Sequence, residues 1–164
     1  MLPTFETSRL ILKPRTINDL DNCVEMDMNP KVTEYIPGKW DGSCIHIDFL
    51  KERISKTDPL GLGYWSIFLK DNPDDFLGWI HLLPLQNDKQ AAEIDWRLKH
   101  SVWGNGYATE AARMIVAYTF KTAVFDRLFS YTLPVKAHHV QSSIYRRSIS
   151  QGFSKEFLSK VYCT

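Results

Sequence analysis

The chain has 164 residues, the length expected of one domain at roughly 150 residues per domain. Its residues are 44% hydrophobic and 13% aromatic, which is enough to build a buried core and excludes a disordered or fibrous protein. Twenty Lys and Arg against nineteen Asp and Glu leave a formal net charge of +1. That balance offers no broad electrostatic attraction to nucleic acid or to an anionic membrane, and a locally basic patch remains an alternative. We therefore expect one domain over residues 1–164, with neither of these partners.

The cysteines and the N-terminal residues indicate a compartment. Cys23, Cys44 and Cys163 are odd in number and far apart, so they form neither a CxxC pair nor a disulfide framework. No basic segment followed by an apolar one opens the chain, so no signal peptide is expected. The most apolar long stretch, residues 108–120, is shorter than the ~20 residues that span a bilayer. These features predict a soluble, cytoplasmic protein.

The first third of the chain predicts one strand and two helices. Leu10-Ile11-Leu12 forms the centre of a strand that ends at Pro14. Thr16, with Asp19 three residues later, is a weak capping-box signal for a helix that ends at Asn29-Pro30. A second helix is predicted from Ser43 to about Lys56. Its expected buried stripe consists of Cys44, Ile47, Leu50 and Ile54.

The rest of the chain predicts three strands joined by polar turns, then a helix, a strand, a helix and a short strand. In that order, the predicted ranges are Tyr64–Lys70, Phe76–Leu83, Ala91–Leu98, Tyr107–Phe120, Arg127–Leu133, His138–Ser150 and Phe153 onward. An antiparallel half followed by a β-α-β unit is a mixed α/β fold.

A glycine-containing loop joins the predicted strand that ends at Leu98 to the helix that begins near Tyr107. The first amides of a helix have no acceptor within the helix, and glycine lets several N–H groups converge on one anion. Gly104 and Gly106 therefore lie where a diphosphate could bind. Asn105-Gly106 also resembles a hairpin turn, but the residues that follow have a helical period rather than the alternation of a strand. A helix entry without any ligand remains an alternative.

Two well-known phosphate loops are excluded. No lysine follows Gly106, so the segment is not GxxxxGK[ST]. It also lacks the GxGxxG pattern with an acidic residue ~20 positions later.

The same segment resembles a known family. Trp103-Gly-Asn-Gly-Tyr-Ala108 is similar to the acyl-CoA loop Q/R-x-x-G-x-G/A of the GNAT superfamily of N-acyltransferases. Ala92-Glu-Ile-Asp-Trp-Arg-Leu before the loop, and Thr-Glu-Ala after it, resemble the ribosomal-protein N-terminal (alanine/serine) acetyltransferase branch. The opening Thr7-Ser-Arg-Leu-Ile-Leu-Lys-Pro-Arg is also similar to that branch. The resemblance covers residues 5 to about 133.

The resemblance implies a GNAT fold and an acetyl-CoA co-substrate, with no metal. The expected sheet is mostly antiparallel, has six to seven strands and a splayed parallel pair, and is flanked by about four helices. Backbone groups of Trp96 and Leu98 would bind the pantetheine. The pyrophosphate would be held by the amides of Trp103, Gly104, Asn105, Gly106, Tyr107 and Ala108, with help from Thr109. The acceptor amine attacks the thioester directly in this family.

That chemistry needs a base for the amine and an acid for the departing thiolate. By resemblance, Glu93 is the candidate base, acting directly or through water. Asp95 shares its face of the strand by alternation, so the two carboxylates could attract a cationic amine and raise one pKa by repulsion. The alternative is that both are solvated strand residues or partners of Arg97.

The C-terminal segment matches the family less well. If an insertion is allowed, Tyr145 takes the general-acid position and His138 replaces the family's cofactor-binding Asn. Otherwise Tyr145 is simply a packing residue. The chain ends eleven residues after Phe153, where the family usually continues through a final hairpin. The last strand is therefore expected to be short, missing, or completed by a partner subunit.

The prediction is an acetyl-CoA-dependent N-acetyltransferase that acts on a primary amine, either a peptide N-terminus or a small molecule. A CoA-binding module with weak or no activity is the alternative, because the segment from residue 134 departs from the family pattern. Adjacent His138 and His139 do not make a reliable metal pair, so no zinc is expected. Whether the chain is a monomer or a homodimer is left open.

Overall fold

The computed structural model describes residues 2–56, 58–59, 61–86, 88–122, 125–132 and 141–146, with only the backbone for 131–132 and 141–146. Within them lies a seven-stranded sheet in the order β1-β2-β3-β4-β5-β6-β7. The strands are β1 (Phe5–Glu6), β2 (Leu10–Pro14), β3 (Gly63–Leu69), β4 (Phe76–Leu85), β5 (Asp88–Leu98), β6 (Arg127–Thr132) and β7 (Gln141–Arg146). The α-helices are α1 (Leu20–Asp27), α2 (Pro30–Thr33), α3 (Cys44–Ser55) and α4 (Tyr107–Thr122).

The sheet confirms the predicted mixed architecture. Strands β1 to β5 pair antiparallel with their neighbours, β5 pairs parallel with β6, and β7 returns antiparallel to β6. Helix α4 makes the crossover between the two parallel strands. The predicted strands and the long helix agree with β2 to β6 and α4 to within three residues at each end. Strand β1, two residues long, was not predicted.

The residues predicted to begin and end the first helix do so in the structure. The Thr16 N–H donates to Asp19 Oδ2 at 2.8 Å, which is half of a capping box, and a 3-10 turn over Ile17–Asp19 leads into α1. The break at Asn29-Pro30 is confirmed, and it also starts a new short helix. Pro30 is its first residue, and the Asn29 side chain accepts the Lys31 N–H at 3.0 Å.

One predicted stripe needs correction. In α3 the buried residues are His46 and Leu50, whereas Cys44 is exposed. A histidine replaces a cysteine in the core because Asp27 of α1, itself fully buried, faces His46. Local periodicity carries no record of a contact with another helix, so it does not show that this polar residue of α3 faces inward.

The sheet separates two apolar layers. On one face, α4 packs its small residues Ala108, Ala111 and Ala112 against the strands, in a cluster that includes Trp65, Ile80 and Ile94. On the other face, α1, α2 and α3 cover a second cluster that includes Met26, Leu50, Tyr64, Phe76 and Trp79. Side chains alternate along β5, so its even-numbered residues face α4 and its odd-numbered residues face α1 to α3.

The predicted helix over His138–Ser150 is wrong for residues 141–146, which form β7. Their backbone pairs with β6 from Arg127↔Arg146 to Thr132↔Gln141. The edge of β6 that faces away from β5 decides this outcome, because an unpaired strand edge supplies hydrogen-bond partners that the local period of residues 141–146 does not reveal. His138, and the strand predicted from Phe153 onward, lie outside the described residues.

Candidate active site

The two parallel strands at the centre of the sheet pair only at their beginning. The register joins Ala91 to Arg127, Ala92 to Leu128 and Glu93 to Phe129. Strand β5 runs on to Leu98, and β6 to Thr132, without a further pair between them. Glu93 is thus the last β5 residue to pair with β6, and the strands splay beyond it.

Backbone alternation shows which β5 groups face the splay. The Lys99 N–H donates to the Leu77 carbonyl of β4 at 2.8 Å, so the odd-numbered amides face β4. The Gln90 carbonyl accepts from the Asp126 N–H at 2.9 Å, so the even-numbered groups face β6. The backbone N–H groups of Trp96 and Leu98 consequently face the open side. These are the two residues at which pantetheine binding was predicted.

A loop with two left-handed glycines continues from β5 into α4. Gly104 has φ +78° and Gly106 has φ +77°, a conformation that L side chains rarely adopt. Residues 104–106 are exposed, and in the described part of the chain their main-chain N–H groups have no acceptor. A Cβ added at Gly104 would meet no protein atom within 4 Å, so the space over this loop is open. The arrangement fits a diphosphate at the positive end of the 16-residue helix α4.

The backbone amide of Trp103, at the start of the predicted loop, is engaged in a hydrogen bond, unlike those of residues 104–106. The Trp103 N–H donates to the His100 carbonyl at 3.2 Å, so this amide is already engaged, while the Trp103 indole donates to the Leu98 carbonyl at 2.9 Å. Asn105 donates through Nδ2 to the carbonyls of Val102 and Trp103, at 3.1 and 3.2 Å. These side chains fix the loop, and the free donors begin at Gly104.

An ion-pair cluster clamps the loop to the start of β2. The Glu110 carboxylate accepts from the Thr7 and Ser8 hydroxyls and from the Arg9 backbone and guanidinium. Arg9 also donates to the Asn105 carbonyl at 3.1 Å and lies over the Tyr107 ring at 4.6 Å. Burial alone would raise the pKa of Glu110, but these hydrogen bonds lower it to about 2. The sequence contains these residues as Thr7-Ser-Arg and Thr-Glu-Ala, yet without the tertiary structure nothing links the two segments.

Glu93 lies at the fork, on the face covered by α1 to α3. Its side chain is 32% exposed, and Oε1 lies 3.9 Å from Nε2 of His81 on the neighbouring strand. Burial raises the pKa of Glu93, although the positive charge of Arg53 opposes this. Burial lowers the pKa of His81 to about 3, and the cations Arg53, Arg15 and Arg97 lower it further, so this ring is neutral at pH 7. A carboxylate with a raised pKa beside a neutral imidazole is a suitable acceptor for an ammonium proton.

Asp95 is next to Glu93 on the same face. Burial raises the pKa of Asp95 to about 6, and the negative charge of Glu93 contributes to the rise. Its Oδ1 accepts the Trp96 backbone N–H at 2.8 Å. One of the two amides that face the splay is therefore capped by a carboxylate from the adjacent residue.

Arg97 pairs with a third carboxylate. Its Nη1 lies 2.7 Å from Oδ1 of Asp27, which is fully buried, and Oδ2 of Asp27 is 3.5 Å from Nε2 of His46. His46 accepts the Gly42 N–H through Nδ1 at 3.1 Å, so its remaining proton sits on Nε2 and points to Asp27. The Arg97 guanidinium also lies over the ring of Trp40 at 5.0 Å. The ion pair of Arg97 is thus made with α1, and not with Glu93 or Asp95.

For Tyr145, the predicted general acid, the structure describes only the backbone. Tyr145 lies on β7 and pairs with Leu128 of β6, which in turn pairs with Ala92 of β5. Tyr145 therefore lies on a strand and not on the expected helix face. It is separated from β5 by β6, and it is level with the residues of β5 that pair with β6. His138 lies outside the described residues.

Within the described residues, the structure shows neither a membrane-spanning helix nor a cluster of metal ligands. No helix there is long and apolar enough to cross a membrane. No group of three or more His, Cys, Asp or Glu side chains in the same residues could hold a metal ion.

The chain is similar in sequence to proteins that are named as acetyltransferases. The chain is 27% identical over 143 residues to the FsC-acetyl coenzyme A-N(2)-transacetylase of Aspergillus fumigatus, a match that covers 81% of this chain and 59% of that protein. It is 25% identical over 169 residues to the uncharacterised N-acetyltransferase YoaA of Bacillus subtilis, covering 99% of this chain and 89% of the relative. The chain thus spans less than two thirds of the fungal relative and most of the bacterial one.

Solved structures share the fold at low identity. An acetyltransferase from Agrobacterium tumefaciens superposes with a TM-score of 0.68 at 24% identity, covering 82% of this chain and 77% of that one. A proposed ribosomal-protein-serine acetyltransferase from Vibrio cholerae gives a TM-score of 0.60 at 15% identity, covering 83% and 78%.

The profile of the Acetyltransferase (GNAT) domain matches residues 9–142. That range begins at Arg9, which pairs with Glu110, and it includes β5, the glycine loop and the beginning of β7. The chain therefore belongs to the GNAT family of acetyltransferases, acyltransferases that generally use acetyl-CoA.

Proposed function

We propose that the domain, over residues 1–164, transfers the acetyl group of acetyl-CoA to a primary amine by direct attack within a ternary complex. One observation carries the proposal. Glu93, the residue at the fork of β5 and β6, shares a single strand with the amides that face the splay and with the entry to the glycine loop. A thioester that lay along that edge would reach the carboxylate at the fork.

In this proposal the binding of acetyl-CoA is mainly a backbone function. The exposed N–H groups of residues 104–106, and those of Tyr107 and Ala108 that begin α4, would hold the pyrophosphate, with Thr109 beside them. Leu98 and Trp96 would pair with the pantetheine amides as an added strand does. Since Asp95 now accepts the Trp96 N–H, binding there would release its carboxylate toward the acceptor side. A cofactor role for His138 rests on the family resemblance alone.

Glu93 would take the proton of the acceptor ammonium, directly or through water. The amine nitrogen then forms a bond to the thioester carbonyl carbon, and the bond from that carbon to sulfur breaks. The thiolate leaves with its electron pair and needs a proton. Family resemblance names Tyr145 as the donor, and this assignment rests on the resemblance alone.

The acceptor is proposed to be either a peptide N-terminus or a small amine. The likeness to the proposed ribosomal-protein-serine acetyltransferase supports the first, and the match to a fungal transacetylase named for an N(2) position supports the second. Both acceptors present a primary amine, and the proposed chemistry at Glu93 is the same for each.

The proposal is tested by thiol release on a panel of amines and peptides, with acetyl-CoA binding measured separately by calorimetry. Glu93→Gln should leave the binding of acetyl-CoA within about twofold and reduce kcat by ~100-fold or more, as removal of a general base does. The exposed Glu52→Gln on α3 is the matched control. Binding without turnover on any acceptor, and no effect of Glu93→Gln, would instead show a CoA-binding module.

A further inference from the structure

Among the described residues, two arginines on the face of the sheet covered by α1 to α3 make no ion pair with a carboxylate. Among the described residues, the arginines that pair with carboxylates are Arg9, Arg97 and Arg127. Arg15, at the end of β2, and Arg53, in the last turn of α3, are without such a partner. Both contact one side chain, Tyr64. The Arg15 guanidinium lies 3.8 Å from the centroid of the Tyr64 ring, and Arg53 Nη1 donates to the Tyr64 hydroxyl at 3.0 Å.

This pair of like charges is unfavourable without an anion. Nε and Nη2 of Arg15 are enclosed and have no acceptor within the part of the chain that the structure describes. Burial lowers the pKa of Arg15 and is the largest effect, and the charge of Arg53 lowers it further, whereas Cys23, Tyr64 and Asp19 oppose the change. A buried cation without a hydrogen-bonded partner costs free energy, and an anion placed between two guanidiniums would offset that cost.

The other groups on this face do not supply the anion. Asp27 is bonded to Arg97, and Asp19 to the start of its own helix. His81 has no hydrogen-bond partner for either ring nitrogen among the described residues and is neutral at pH 7. Glu93 and Asp95 lie on β5, on the far side of His81. Arg53 is exposed, so an incoming carboxylate can reach it from solvent, and the enclosed guanidinium of Arg15 would have to turn outward to meet the same group.

The register relates Tyr64, the side chain that both arginines contact, to the carboxylates on β5. Tyr64 pairs with His81, and His81 pairs with Asp95, so the three residues form a row across β3, β4 and β5. Neighbouring strands lie about 4.8 Å apart, which puts roughly 10 Å between the backbones of Tyr64 and Asp95 at the two ends of the row. An extended chain covers that distance in about three residues.

Building on the proposed function, we propose that the acceptor carries a carboxylate as well as its primary amine, the two separated by a short length of chain. The amine would lie at Glu93 and Asp95, and the carboxylate at Arg15 and Arg53. The carboxylate could be the terminus of a short free acceptor or an acidic side chain near the N-terminus of a longer peptide.

The experiment compares matched acceptors on the intact chain. Triglycine and triglycinamide form the first pair. Ser-Gly-Glu and Ser-Gly-Gln at the start of the same amidated ten-residue peptide form the second. We expect kcat/KM to be about tenfold higher for the carboxylate member of at least one pair, a typical effect of one charge-assisted hydrogen bond. The pair that shows the preference identifies the source of the carboxylate.

Variants then assign the preference to the arginines. Arg53→Gln should remove it by raising the KM of the carboxylate acceptor about tenfold relative to that of the neutral acceptor, with the KM of acetyl-CoA unchanged. Any effect of the lost charge on the pKa of Glu93 is shared by the two acceptors and cancels in their ratio. Lys51→Gln removes one exposed charge from the same helix and should change neither acceptor. Arg15→Gln is the second variant, used with its stability measured because Arg15 is partly buried.

Equal turnover of charged and neutral acceptors by the unaltered protein, or a preference that survives Arg53→Gln, would overturn the inference and leave the acetyltransferase intact. Turnover of no amine at all would overturn the proposed function, and the inference would fail with it.

Discussion

Arg9 and Glu110 connect the start of β2 to the first turn of α4 through two contacts to one oxygen. Nε and Nη2 of Arg9 lie 2.8 and 2.7 Å from Oε2 of Glu110, across 101 residues of sequence. The other oxygen, Oε1, accepts the Arg9 backbone N–H at 3.0 Å. The same guanidinium holds the Asn105 carbonyl, so this pair sets the position of the glycine loop.

Glu110→Gln should weaken both stability and the binding of acetyl-CoA. The folded pKa of Glu110, about 2, lies below its ordinary value of 4.5, so its charge stabilises the fold above pH 4.5, and this contribution is lost as pH falls toward 2. We expect a loss of about 1–2 kcal/mol in the free energy of unfolding at pH 7, and a smaller difference between variant and parent at pH 3. Urea unfolding at the two pH values measures it, with Glu52→Gln as control. A difference independent of pH would contradict the assigned role.

Gly104 allows a clean test of the loop, because the protein leaves open space around it. Gly104→Asn adds a side chain that tolerates the left-handed conformation, so stability should fall by no more than about 1 kcal/mol. The added atoms occupy the space proposed for the pyrophosphate, so the Kd for acetyl-CoA should rise about tenfold or more. Calorimetry with the folded variant checks this. Unchanged affinity would show that the ligand does not approach this backbone.

Asp95→Asn should stabilise the protein at neutral pH and not at acid pH. The folded pKa, about 6, is above the ordinary 3.8, so the folded state favours the protonated form and loses stability as pH rises from about 4 to above 6. Asparagine removes that penalty, and we expect a gain on the order of 1–2 kcal/mol at pH 8 with little change at pH 4. Chemical unfolding at both pH values, beside the exposed Asp48→Asn, measures it. Equal effects at the two pH values would argue that Asp95 is fully solvated.

Removal of Arg97 should destabilise the fold because it leaves Asp27 charged and buried. Arg97→Met is expected to cost about 3 kcal/mol, as for other buried pairs that lose one partner. Asp27→Asn together with Arg97→Met should cost less than the sum of the two single changes. A double-mutant cycle in urea provides the measurement. Additive losses would mean that the 2.7 Å contact contributes no coupling.

The sequence by itself determined the strands and helices whose apolar residues recur with one regular period. It also determined the glycine loop between β5 and α4. Strands β2 to β6 and helix α4 follow from such patterns, because the apolar face of each element must be buried whatever lies opposite it. The position of Gly104 and Gly106 before a helical period was likewise sufficient to predict free amides there. Glu93 was found through family resemblance and not through periodicity.

Only the tertiary structure decided which side chains meet and which edge is open. The exposed Cys44, the buried His46, the strand at residues 141–146 and the pair of Arg9 with Glu110 all depend on a partner distant in the chain. So does the placement of Arg15 and Arg53 on one tyrosine. The physical reason is that burial and charge pairing are set by distances in space, whereas a sequence pattern records only the preferences of neighbouring residues.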